Sequence, residues 1–366
     1  MGGMTGALAP ADDEVRARIA LTLLAEPGDR RIGQRLASIG VSATCAELLA
    51  GGAKGYSTWD LDRSVSAQER RAANCGAVCL IPGSDGWPRQ LDDLGDAAPY
   101  LLWRRGGARL RPALLRSVAV VGARACTHYG RATAQTLGSG LAARGWAVVS
   151  GGAFGIDAAA HAGALAADGT TVLVTAGGVD RPYPQSHEEL YARVAVAGAI
   201  VSEAPLGAAV ARHRFLVRNR MIAALSRGTV IVEAARRSGA RATAEAAHTL
   251  ARHVMAVPGP VTSDMSAGCH DLLRNGQAVL VSNVDQVVEL VSPLLATAAE
   301  TPAATRILAA LAAGRPGTVA SLSAATSLLD GEVEVALAAL EGAGEVVSTA
   351  GEWRPTGPPG RLNPTA

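Results

Sequence analysis

From Val118 to Val281 the chain alternates short, unbroken apolar runs with longer helix-like stretches. The runs are Val118 to Val121, Ala147 to Ser150, Thr171 to Thr175, Ala199 to Ser202, Thr229 to Val232, Val254 to Val257 and Ala278 to Val281. An apolar run without polar alternation is a strand buried on both faces, and strands alternating with helices predict an α/β fold whose parallel sheet is covered on each side. In such a sheet, ligands sit beyond the carboxyl ends of the strands.

The pattern changes on either side. Residues 1–75 show helical spacing (Val15, Ile19, Leu23; Ile32, Leu36, Ile39; Cys45, Leu48, Leu49) interrupted at Pro27-Gly28 and Gly51-Gly52, which predicts a small helical domain. Residues 76–116 are rich in turn formers around Val78 to Ile81, Trp87-Pro88 and Pro99 to Trp103, and read as a connector packing on the core domain of residues 117–292. An Ala/Thr/Pro-rich linker, 293–303, leads to a C-terminal segment, 304–356. Its helices are expected at Thr305 to Ala312, Val319 to Ser323 and Gly331 to Gly342, with a hairpin from Glu345 to Arg354 turning at Ala350-Gly351. Three helices and a hairpin predict a winged-helix-like domain, and residues 357–366 are expected to be a disordered tail.

Composition narrows the class. No apolar run approaches the roughly 20 residues that span a bilayer. The start is acidic (Asp12, Asp13, Glu14), without the basic and apolar regions of a secretion signal, so no membrane partner and a cytoplasmic location are expected. Cys45, Cys75, Cys79, Cys126 and Cys269 are scattered without CxxC pairs and read as free thiols; Cys75 and Cys79 are spaced to share a helix face. The net charge of +2 hides a cluster: Arg212 to Arg252 holds nine arginines against two acids, Glu233 and Glu245. Compositional bias explains why the chain has one lysine, Lys54, among its 34 basic residues, but not why the arginines gather there. The presumed recognition helix of the C-terminal domain carries Glu332, Glu334 and Glu341 and no basic residue, which repels phosphate and predicts a protein-contact or self-contact role.

Candidate chemistry gathers at the strand ends. Ser150, Gly151, Gly152, Ala153, Phe154, Gly155, Ile156 and Asp157 run from a strand into a helix, a sequence that presents backbone N–H groups and a positive helix end to a phosphate. Arg124 leaves the first strand, Arg218, Asn219 and Arg220 follow the fourth, and Arg237, Ser238 and Gly239 leave the fifth. The guanidinium forks of Arg124, Arg218 and Arg220 suit phosphate oxygens, Asn219 reads as a brace between arginines, and the two phenylalanines, Phe154 and Phe215, both fall among these residues. Exposed rings there would stack bases, while a core role for Phe215 stays open. Asp157 and His161, four apart, are read as a helix-start cap and a packed histidine rather than metal ligands. Glu203 and Glu233 are expected to pair with neighbouring arginines. No metal, cofactor or catalytic residue is called.

Val120-Val121-Gly122-Ala123-Arg124, Tyr129-Gly130, Ser150 to Asp157 with His161, Tyr183-Pro184, Ser202-Glu203, Arg218-Asn219-Arg220, Val232-Glu233-Ala234, Ser238-Gly239, Thr243-Ala244 and Val257-Pro258-Gly259 occur in the order of, and resemble, the DNA-processing protein A family, also called Smf. The resemblance runs from about Cys79 to Val288. It implies a Rossmann-like binder of single-stranded DNA that loads the RecA recombinase during DNA uptake or recombination. It also implies a homodimer without established catalytic chemistry, flanked by a small helical (SAM-like) domain and a winged-helix-like domain. Five positions depart from the family pattern: Phe154 replaces a basic residue, which predicts weaker salt dependence; Leu216 replaces a proline, His270 an asparagine, and Arg241 with Ala242 an apolar pair.

Two other classes remain open on the residues alone. Ser238, Gly239, Thr243 and Glu245 loosely resemble the signature of lysine-decarboxylase-like phosphoribohydrolases, and the same loops would serve a nucleotide-binding sensor. Dinucleotide oxidoreduction is disfavoured, because Gly122-Ala123-Arg124 opens no GxGxxG. A polymer needs an open groove and a nucleotide a closed pocket.

Overall fold

The structure is a computed structural model that describes residues 10–292, 302–342, 344–349 and 352–356. Its residues divide into two compact units, one ending at Val287 and one beginning at Val288. In the first, helices α1 (Pro10–Leu24), α2 (Arg30–Ala50) and α3 (Thr58–Cys75) precede strands β1 (Ala77–Leu80) and β2 (Leu102–Arg105) and a short α4 (Leu110–Leu115). The alternating segment follows as β3 (Ser117–Val121), α5 (His128–Ala143), β4 (Ala147–Ser150), α6 (Ile156–Ala166), β5 (Thr171–Val174), α7 (Glu188–Ala197), β6 (Ala199–Ser202), α8 (Arg212–Ala224), β7 (Gly228–Ile231), α9 (Ala240–Thr249), β8 (His253–Ala256), α10 (Ala267–Arg274), β9 (Val279–Leu280) and α11 (Val284–Val291).

Nine strands form one sheet in the order β1-β2-β6-β5-β4-β3-β7-β8-β9. The seven from β3 to β9 are parallel; β3 to β8 carry the buried apolar runs and each lies within a residue or so of the expected run, whereas β9 is a two-residue strand with both side chains exposed. The connector does more than pack on the sheet. It adds β2 antiparallel to β6, with Trp103 opposite Ser202, and β1 antiparallel to β2, so the sheet is mixed at this edge. The chain winds outward from β3 through β4, β5 and β6, then returns to the other side of β3 with β7. The strand order therefore reverses between β3 and β7, which opens a crevice beyond their carboxyl ends.

Each face has its own core. One gathers Ala119, Val121, Val149, Val172, Met221, Ile222 and Ile231 with Trp87 and Leu91. The other gathers Leu173, Ile200, Tyr191, Leu101 and Trp103 with Ile19, Leu21, Leu61 and Val65 of the N-terminal helices. The α1–α3 segment thus shares a core with the sheet. Polar links reinforce it: Gln68 donates to the Leu206 carbonyl and accepts from the Leu206 amide, Tyr100 Oη donates to the Glu26 carbonyl, and Arg71 pairs with Asp180.

In the second unit, α12 (Pro302–Ala312), α13 (Val319–Thr326) and α14 (Asp330–Gly342) pack around Ile307, Leu311, Leu322, Val333, Leu337 and Leu340. Strands β10 (Val346–Thr349) and β11 (Glu352–Pro355) form an antiparallel pair whose Val346 joins that core. Asp330 and Glu332 in the first turn of α14 suit the positive helix end, and Glu332 accepts from the Leu329 amide at 2.9 Å. The expected linker at 293–303 lies mostly, and the tail at 357–366 entirely, outside the described residues, as do Ala350 and Gly351 of the hairpin turn.

Among the described residues no helix is long and apolar enough to cross a membrane, and no group of three His, Cys, Asp or Glu side chains is placed to hold a metal ion. All five cysteines are free. Cys75 ends α3 whereas Cys79 lies on β1, so the two do not share a helix face.

Candidate nucleic-acid interface

A pocket of about 720 Å³ lies in the crevice at the reversal point. Its walls are the loop after β3 (Gly122 to Ala125), the turn before α9 (Ser238, Gly239) and one face of α8. The α8 face consists of Arg212, Phe215, Leu216, Asn219 and Ile222, the i, i+3, i+4, i+7 spacing of a helix stripe. Two loops meet closely at the back of this pocket. Gly155 precedes α6 at φ +78°, and a Cβ there would strike the carbonyls of Ala123 and Arg124. Only glycine permits both the conformation and the approach.

Arg124 is exposed, and its guanidinium carbon stands 4.7 Å from the centre of the Phe215 ring. Phe215 also meets Tyr183, their ring centres 5.5 Å apart and their planes inclined at 51°. Among the described residues the Arg124 side chain makes no hydrogen bond or ion pair, nor do Arg212 and Arg237. The pocket mouth therefore presents free guanidinium forks beside a half-buried ring, a combination suited to phosphate and base together.

Arg218 also lines the pocket but is buried. It donates to the Val174 carbonyl, packs against Gly151, and leaves Nε without a partner. Burial holds its pKa below the usual arginine value, with Arg124 adding repulsion and Asp157 supplying the compensating charge. Asp157 is itself buried, and burial raises its pKa against the pull of Arg218 and the loop amides.

The glycine loop after β4 is used internally, which corrects its expected role. Asp157 Oδ2 accepts from the amides of Gly151 (3.1 Å) and Ala153 (3.4 Å), occupying the place where phosphate oxygens were expected. The Ser150 hydroxyl donates to the Val120 carbonyl at 2.7 Å, and the Gly152 carbonyl lies 3.1 Å from His187 Nδ1. Phe154 is 49% exposed but stands edge-on to His187 at 4.7 Å, outside the pocket wall.

Arg220 also differs from expectation. Both ends of its fork bind Glu203, at 2.5 and 2.6 Å, and its Nε donates to the Ala97 carbonyl. Residues two apart on a helix point about 200° apart, so Arg218 and Arg220 cannot both face the pocket. Glu203 has thus found an arginine, but Glu233 has not. Its carboxylate instead accepts from the Thr127 amide (2.9 Å) and hydroxyl (2.5 Å), fixing the start of α5. Asn219 donates to the Gly239 carbonyl at 3.2 Å, joining α8 to the second turn rather than bridging two arginines. Arg237 is exposed at that turn but outside the pocket wall. His161 is buried with Nδ1 2.7 Å from Thr171 Oγ1, and burial lowers its pKa to about 3.

Sequence reasoning therefore selected Arg124, Phe215, Arg218, Asn219, Ser238 and Gly239, which the pocket brings together, and Ser150, Gly151, Gly152, Phe154, Arg220 and Arg237, which it does not. It missed Arg212 as a site residue. The signal was its position seven residues before Asn219, on the same helix face.

Fold and site together define a doubly wound, Rossmann-like α/β protein with a cationic, aromatic-lined pocket at the strand reversal. The chain belongs to the DNA recombination-mediator protein A family, whose model matches residues 78–292. It is 43% identical over 316 residues to a putative DNA processing protein DprA of Mycobacterium tuberculosis, spanning 81% of each chain. The X-ray structure of DprA from Streptococcus pneumoniae superposes with a TM-score of 0.60 and 28% identity, covering 74% of this chain and 95% of that one. DNA processing protein A of Helicobacter pylori, solved in a study of its single-stranded DNA binding mode, gives 0.53 and 29%, covering 58% and 94%.

Proposed function

We propose that this chain binds single-stranded DNA at the pocket between β3 and β7 and delivers the strand to the RecA recombinase during DNA uptake or recombination. The observation that carries the reading is the free Arg124 fork set against the Phe215 ring at the pocket mouth, with Arg212 and Tyr183 beside it. The forks of Arg124, Arg212 and Arg237 hold phosphate oxygens. A base unstacked from its neighbours lies on Phe215 or Tyr183, and a duplex keeps its bases stacked and paired away from such rings. Arg218 supplies buried positive charge behind the pocket, and Ser238 and Gly239 supply backbone at its edge. In this reading the protein works by binding, without turnover, as a cytoplasmic homodimer. The C-terminal unit is a winged-helix-like module whose acidic third helix contacts protein. The family's description as a recombination mediator supports the RecA role.

One observation favours a second reading. A volume of about 720 Å³ falls within the range of small-molecule sites, which suits a nucleotide sensor. The hydrolase version is weaker, because Glu245 is exposed on α9 and forms no part of the pocket wall.

The test is fluorescence anisotropy of a labelled oligonucleotide, single- and double-stranded, across a salt series, with a mononucleotide as competitor. Three arginine–phosphate contacts predict a salt slope of about −2 for the single strand, at about 0.7 per contact. Selective single-strand binding with that slope supports the proposal. A mononucleotide that binds while neither DNA form does overturns it in favour of the sensor.

A further inference from the structure

The sheet's opposite edge carries a second row of arginines. Arg116, Arg227 and Arg252 immediately precede β3, β7 and β8, which are adjacent in the sheet. The register of Gly228 with His253 sets Arg227 beside Arg252, and the Arg227 amide bonds to the Ser117 carbonyl at 3.0 Å, beside Arg116. Neighbouring strands are about 4.8 Å apart, so the three side chains emerge within about 10 Å of one another. The pocket lies past the other end of the same strands, about 16 Å away along β3 at about 3.3 Å per residue.

This row is short of negative charge. Arg252 pairs with Asp93 at 2.6 Å, the one carboxylate bonded to it among the described residues. Arg227 uses Nε on the Leu115 carbonyl and has no ion pair. Arg116 is exposed, with its guanidinium carbon 5.4 Å from the Trp146 ring centre and no hydrogen bond. Burial, with Arg252 and Arg116 alongside, holds the Arg227 pKa below the usual arginine value. The helix ends α4, α8 and α9 deliver their negative poles to this edge, and the arginines complement them. That role engages Nε of Arg227, and Arg252 Nε is buried. What is left to an outside anion is the terminal nitrogens of Arg227, the Arg252 nitrogen not held by Asp93, and the whole fork of Arg116.

We propose that Arg116, Arg227 and Arg252 form a second binding site, for the phosphodiester backbone of another nucleic-acid segment, on the sheet edge opposite the pocket. The ligand class, though not the existence of the site, rests on the single-stranded DNA reading. Trp146 is buried, so this site offers no ring for a base and contacts backbone alone. Its binding is therefore indifferent to strandedness and strongly dependent on salt.

The experiment is a stoichiometric titration of the full chain with a short single-stranded oligonucleotide at low salt, read by native mass spectrometry, with thermal melting as a control. The wild type is expected to take two oligonucleotides per chain, the second event weakening about tenfold for each threefold rise in salt, from a slope of about −2 for three contacts. Arg116→Glu, at an exposed position, removes the second event and keeps the first, with melting lowered by no more than the few degrees that a lost helix-end charge is worth. Arg227→Gln weakens the second event, and Arg124→Ala weakens the first and spares the second. A stoichiometry of one that Arg116→Glu and Arg227→Gln leave unchanged, with any effect confined to melting, would overturn the proposal and leave the row as helix-end caps. Binding of polyglutamate to the row without any second oligonucleotide would also overturn it, in favour of an acidic protein surface. If Arg124→Ala leaves the first event intact, the pocket reading fails while the Arg116→Glu result still decides this one.

Discussion

Replacing Arg220 by alanine should damage the fold rather than a DNA contact, although it stands two residues from pocket-lining Arg218. The Glu203 and Arg220 side chains are 8% and 13% exposed, and their two oxygens and two nitrogens pair at 2.5 and 2.6 Å. Removing the arginine strands a carboxylate at the end of β6 and also breaks the bond to the Ala97 carbonyl, which ties α8 to the segment before β2. Breaking a buried pair from one side costs about 3 to 5 kcal/mol, a large part of the roughly 5 to 15 kcal/mol that holds a domain folded. At about 2 to 4 °C per kcal/mol for a domain near this size, the melting temperature should fall by on the order of 10 °C. Scanning calorimetry measures this, and Arg220→Met combined with Glu203→Leu should recover most of the loss, because paired apolar groups leave no charge stranded. The reasoning fails if Arg220→Ala melts within a degree or so of the wild type while losing DNA affinity.

Glycine substitutions separate structural from ligand-facing turns. Gly155→Ala, at φ +78° against two carbonyls, should lower stability by about 1 to 3 kcal/mol, whereas Gly239→Ala, whose added methyl meets open space, should leave melting unchanged and weaken oligonucleotide binding if the strand approaches that backbone. His161 is held neutral when folded down to about pH 3 but titrates near 6.5 when unfolded. The unfolded chain therefore takes the proton first, and stability is complete above about pH 6.5 and declines towards pH 3 at no more than about 1.4 kcal/mol per pH unit. Denaturant melts of the wild type and His161→Gln across that window should show the decline shrink in the variant. Glu26, held by Arg214 and His213 to about 2, loses its contribution as the pH falls below about 4.5, and Glu26→Gln should remove that acid-side component in the same melts.

The parallel strands were legible because unbroken apolar runs have few other uses, and β6 begins and ends where its run does. Strands β1 and β2 were less so: each has four residues, and their place in the sheet depends on an antiparallel return to β6 that local pattern does not encode. At the site, sequence located the edge but not the direction of its side chains. Arg218 and Arg220 read as a matched pair until helix geometry turns them apart, and the Gly151 amide read as a phosphate donor until Asp157 from the next helix turn accepts it. Arg212 belonged to the arginine cluster by charge and to the pocket by its spacing from Asn219, and only the spacing distinguished it.

The central claim is that single-stranded DNA is held where Arg124 meets Phe215. The most direct measurement is the affinity of a labelled single-stranded oligonucleotide for Arg124→Ala and Phe215→Ala, with melting temperatures recorded alongside. Loss of the ring should weaken binding by about 1 to 3 kcal/mol, roughly 5- to 150-fold. Loss of the exposed fork should lower the salt slope by about 0.7, with melting unchanged. Wild-type affinity and slope in both variants would contradict the account.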